Sequence, residues 1–108
     1  MNKTKINFRL VVGVWNIEIT DENEKLLVNN KRCSGAIRYK ERTIYIDSEL
    51  NENDLGKVIR HELTHAVLYE TQIELKEHYT EEDVCEFMAK YGEIVNTICE
   101  DLLKEIIL

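Results

Sequence analysis

At 108 residues, 44% of them hydrophobic and 32% charged, the chain has the length of one domain and is too apolar to stay disordered. It should bury roughly two-thirds of its unfolded surface on folding. The formal net charge of -7, with 21 acidic residues against 14 basic ones and no Lys/Arg cluster, argues against a nucleic-acid partner. No apolar run approaches the ~20 residues of a membrane span, and the apolar stretch before Glu18 falls short of a ~7–15-residue secretory core, so a soluble cytoplasmic protein is expected.

In the first part of the chain the apolar residues alternate in short bursts. INFRLVV, VWNIEI, GAIRY and TIYID are rich in β-branched and aromatic residues and are separated by Gly13, Asn23, Asn29–Asn30 and Gly35. This pattern predicts three or four strands of a small, mostly antiparallel sheet. GAIRY and TIYID, joined by Lys40, Glu41 and Arg42, read as a hairpin. Trp15 reads as core.

From Asn51 the period becomes helical. Asn51 or Asn53 can cap a helix whose apolar face is Leu55, Val58, Ile59, Ala66 and Tyr69 and which runs to about residue 70. Thr80 with Asp83 resembles a capping box opening a second helix. Its stripe is Val84, Phe87, Met88, Tyr91, Ile94, Val95 and Ile98, continuing through Leu102 and Ile106. Strands followed by helices indicate a single α+β domain, with a sheet region over 1–50 and a helical region over 51–108. The cysteines are Cys33, Cys85 and Cys99. The last two share a helix about 21 Å apart, beyond disulfide reach, so reduced thiols are expected, with Cys85 a small buried hydrophobe.

HELTH, residues 61–65, fits H-E-x-x-H. On a helix, positions i and i+4 share a face, so the imidazoles of His61 and His65 can converge on one zinc ion at about 2.0–2.1 Å. Glu62, rotated by about 100°, then stands beside the metal, placed to take a proton from an activated water and pass it to a leaving amine. The same two histidines on a polar helix flank could instead be solvated surface residues.

Catalytic zinc needs a third protein ligand. Leu68 and Thr71 occupy the places where the extended motif HExxHxxGxxH requires Gly and His, so the ligand must come from elsewhere. Candidates are Glu70, Glu74, His78 and the acidic group Glu81, Glu82, Asp83. At one hundred degrees per residue, Glu81 falls inside the stripe of Val84, Met88, Tyr91 and Val95, and an inward-facing carboxylate wants a cation. Glu82 is the alternative, because helix starts shift by a residue or two. His78 and Tyr79 in the connection could stabilise an oxyanion, although exposed loop residues are the commoner case.

HELTHA followed by EEDVCEFMAKYG resembles the ImmA/IrrE-like metallopeptidases of phages and mobile elements, over roughly residues 43 to 95. That family pairs HExxH with E-x-x-A-N/D-x-F-A on the next helix. The pattern places its Glu at Glu81, its Ala at Val84, its Asn/Asp at Cys85 and its Phe at Phe87. The resemblance implies a minimal zincin-like architecture and a Zn2+ endopeptidase of thermolysin-type ligand set. It also implies a protein or peptide substrate, such as an intracellular phage regulator. The alternative is a catalytically inactive binding module of the same fold. A substrate peptide could add as a strand to the edge of the sheet around Arg38 to Asp47.

Overall fold

The computed structural model describes residues 4–21, 24–73 and 77–107. The elements are β1 (Thr4–Arg9), β2 (Val14–Ile19), β3 (Leu27–Val28), β4 (Lys31–Arg32), β5 (Gly35–Arg38), β6 (Thr43–Ile46), α1 (Glu52–Glu70) and α2 (Glu81–Ile107). The fold is α+β. A mixed four-stranded sheet has the order β1-β2-β6-β5, and β3 and β4 form a separate two-stranded ribbon. The β1–β2 and β5–β6 ladders are antiparallel, while β2 and β6 run parallel. Among the described residues no helix is long and apolar enough to cross a membrane.

Alternation along each strand builds one apolar face. Ile6 pairs with Ile17, Ile17 with Ile44 and Ile44 with Ile37, so one row of isoleucines crosses all four strands. The next row runs through Ile19 and Ile46 and ends at Gly35. Against this face α1 lays Leu55, Ile59, Leu63, Ala66 and Val67, and α2 completes the core with Val95, Cys99 and Leu102. β-branched side chains suit the pleated surface, and the 3/4 spacing gives α1 its matching stripe.

Both helices start as their residues dictate. The Asn51 side chain accepts the Asp54 N–H at 2.9 Å, which settles the α1 cap in favour of Asn51 over Asn53. At the other end Gln72, with φ 62°, turns left-handed and stops the helix. For α2 the capping box is reciprocal: Asp83 N donates to Thr80 Oγ1 at 3.1 Å, and Thr80 N donates to Asp83 Oδ2 at 2.9 Å.

The early turns of α2 depart from the expected stripe. Val84 and Met88 are 54% and 55% exposed, and Glu81 is exposed rather than turned inward. The reason lies in how the helices overlap. Cys99 Sγ lies 3.5 Å from Gly56 O, and Arg60 Nε lies 3.2 Å from Asn96 Oδ1, so the helices run antiparallel. That register sets the end of α1 at Glu70 opposite about residue 86, so the first turn of α2, with Glu81, Val84 and Cys85, extends past it, and Met88 lies just inside this end. Cys85 is likewise exposed and not buried, while all three cysteines are free thiols.

Two carboxylates tie the periphery together. Glu70, with a fully enclosed side chain, accepts from Val12 N at 2.9 Å, Gly13 N at 2.7 Å, Trp15 Nε1 at 3.0 Å and Arg42 Nη1 at 3.1 Å. Burial alone would raise its pKa, but these donors outweigh it and hold the group below its ordinary value. Asp47, only 3% exposed, accepts from Arg32 Nε at 3.0 Å and Nη2 at 3.2 Å, as well as from Leu26 N and Glu49 N. The Arg32 guanidinium is the main reason that its pKa too is lowered. The ribbon carrying β3 and β4, closed by Asn29 and Asn30 at φ 53° and 63°, is thereby fastened to the end of β6.

A depressed folded-state pKa stabilises the fold above the unfolded pKa and loses that contribution as pH falls through the folded value. Acidification below the ordinary glutamate value of 4.5 should therefore weaken the fold. Glu70→Gln should cost about 1–3 kcal/mol at neutral pH, by weakening a buried acceptor with several donors. It should also flatten the stability curve below that pH. Urea unfolding of both proteins between pH 7 and pH 3 checks this, and parallel pH curves would contradict the role given to Glu70.

Candidate metal centre

The rotation that buries Leu55, Ile59, Leu63, Ala66 and Val67 fixes where HELTH points. His61 is exposed and His65 half-buried on one flank of α1, while Glu62, 7% exposed, lies at the boundary with the sheet. The two Nε2 atoms are 3.2 Å apart, with ring centroids separated by 4.9 Å and the ring planes at 74°. Two nitrogens bound tetrahedrally to one zinc at 2.0–2.1 Å are about 3.3 Å from each other. The pair therefore has the separation and the donor chemistry of two ligands on one ion. At this separation one neutral imidazole can also donate its Nε2–H to the other, which acts as acceptor.

The carboxylate of Glu62 approaches the edge of the sheet because Gly35 has no side chain. A Cβ built there would lie 2.7 Å from Val58 Cγ1 and 3.2 Å from both Cγ and Oε2 of Glu62. Burial raises the Glu62 pKa, with positive charge on His61 and His65 opposing the rise. A carboxylate made more basic by its surroundings suits a proton acceptor. Ser34, Gly35, Lys57, Val58, His61 and Glu62 enclose an open cleft of about 350 Å³, whose sheet wall leads into the edge strand β5.

The other expected donors lie elsewhere. Glu81 and Glu82 are exposed in the first turn of α2, and Asp83 is engaged in the cap. Glu70 serves the carboxylate anchor described above, and Glu74 lies outside the described residues. His78 is exposed, and Tyr79 OH donates to Ile73 O at 2.9 Å. Among the described residues no group of three or more His, Cys, Asp or Glu side chains is gathered closely enough to hold a metal. The structure thus brings His61, Glu62 and His65 together and leaves Glu81 apart from them.

Sequence reasoning missed Gly35 and Lys57 as parts of the site. Gly35 was readable as the one small residue in phase with Ile37, and Lys57 as the residue one turn before His61. Comparisons of the chain with protein-family models, curated proteins and solved structures found no match.

Gly35→Ala should displace Val58 and Glu62 and cost about 1–3 kcal/mol, as overpacking of a tight contact does. Ala36, on the opposite face of the same strand, should tolerate exchange for Ser within about 0.5 kcal/mol. Denaturant midpoints of the two variants check this, and equal midpoints would show that the fit around Glu62 is loose.

Proposed function

We propose that the protein is a zinc-dependent endopeptidase in which His61, His65 and Glu81 hold the metal and Glu62 is the general base. The observation that carries the reading is the 3.2 Å convergence of the two histidine Nε2 atoms, beside a buried glutamate and an open cleft. Zinc at that position supplies Lewis acidity, polarising a carbonyl and bringing the pKa of water toward ~7. Glu62 accepts the proton released by the attacking water and returns it to the leaving amine. The edge strand β5 offers its unpaired backbone groups to an extended peptide, which would hold a scissile bond along the cleft. The hairpin segment suited to this is Gly35–Arg38, since β6 is enclosed between β2 and β5.

Glu81 supplies the third ligand from the start of α2, with Glu82 as its alternative. Its exposed position means that binding of the metal would draw this first turn toward His61 and His65. A cytoplasmic setting and a substrate such as a phage repressor follow from the family resemblance. The same exposed position also favours a second reading, a binding module of this fold that does not turn over substrate.

The purified protein should carry one zinc per chain, and His61→Ala or His65→Ala should each abolish stoichiometric binding. Loss should follow Glu81→Gln but not Glu82→Gln. Glu62→Gln should keep the metal and lower cleavage by about 10²–10⁴. Metal analysis and a peptidase assay check these outcomes. Stoichiometric zinc retained by His61→Ala or His65→Ala would sink the site, and full cleavage by Glu62→Gln would remove Glu62 as the base.

A further inference from the structure

Of the charged and titratable side chains lining the cleft, Lys57 alone has no part in metal binding or proton transfer. Lys57 lines the cleft with Ser34, Gly35 and His61. Lys57, His61 and His65 recur every four residues on one flank of α1, so they form a single stripe. Four residues of helix advance about 6 Å. An extended peptide advances about 3.3 Å per residue and returns its side chains to the same side every second residue. A peptide lying along this cleft with its scissile bond beside His61 therefore offers Lys57 a side chain about two residues away.

Among the described residues the Lys57 ammonium makes no hydrogen bond or ion pair. The helical half of the sequence is acidic, for residues 51–108 contain five Lys or Arg against fourteen Asp or Glu. Two other cations of the helical region have partners, Arg60 with Asn96 and Lys90 with Glu86. Glu62, the one acid lining the cleft, is turned to Gly35 at the sheet edge.

We propose that Lys57 is a specificity-determining residue that selects an acidic side chain about two residues from the bond to be cut. This rests on the endopeptidase reading and names its substrate class. The net charge of -7 repels an anionic peptide at long range, so a preference for one has to arise locally, from a cation within the cleft.

The test separates binding from turnover. Two rhodamine-labelled pools of end-blocked random peptides are compared, one with Glu at every second position and the other with Gln there. Zinc-loaded Glu62→Gln should bind the Glu pool about two- to fivefold more tightly at low salt, the scale of an exposed ion pair. Added salt should shrink the preference. It should vanish in Lys57→Met combined with Glu62→Gln, with the helical circular dichroism unchanged. Equal affinity for the two pools, no binding of either, or a preference surviving Lys57→Met overturns the proposal. The wild-type protein is assayed for cleavage of the same pools. A Lys57-dependent binding preference without cleavage supports anion selection and overturns the peptidase reading. Cleavage without preference overturns only the role of Lys57.

Discussion

The rotation of α1 about its own axis is the constraint on which the site depends. Five apolar side chains, Leu55, Ile59, Leu63, Ala66 and Val67, are buried against the sheet and α2, and together they outweigh any alternative setting of the helix by several kcal/mol. Once they are seated, no freedom remains in where the intervening residues point. His61 and His65 emerge together on one flank, Glu62 is pressed to the sheet edge, and Glu70 enters its nest of donors. Core packing and site geometry are thus one arrangement viewed from two sides.

The two ends of α1 are held by different means. At its C-terminal end the Glu70 carboxylate gathers the β1–β2 turn, Trp15 and the β5–β6 turn through Arg42. Farther toward the N-terminus, contact is made by the absence of a side chain at Gly35. A polar clamp sets direction because its hydrogen bonds fail when misaligned, whereas a steric notch sets distance. These two points set the position and the rotation of the helix, and with them the flank on which the histidine pair emerges.

Local features were the most legible in the sequence. The β2 boundaries, the GAIRY–TIYID hairpin and the Thr80–Asp83 box depend on neighbours within a few residues and are found as expected, and of the two α1 caps that the sequence offers, Asn51 and Asn53, the structure uses Asn51. HELTH was legible because helical geometry alone brings i and i+4 together. What escaped was set by distant partners. The parallel pairing of β2 with β6 joins segments far apart in the chain, and no local signal encodes it. The inward phase assigned to Glu81 assumed that α2 is covered along its whole length, yet Val84 and Met88 share the core phase and still lie in solvent. Cys85 was misread for the same reason. Glu70 was weighed as a metal ligand because its enclosure by backbone N–H groups of the β1–β2 turn cannot be read from spacing.

The parallel seam between β2 and β6 also orders the assembly of the sheet. The β1–β2 and β5–β6 hairpins close over short turns and can form within microseconds, whereas the seam must join Ile17 to Ile44 across the intervening ribbon. Loop-closure entropy falls on that step, and α1 is the element that covers it from one side. The chain contains no proline, so no prolyl isomerisation delays the route. Joining of the two hairpins is then the step that bears the largest loop-closure cost, and it completes the isoleucine row across the sheet.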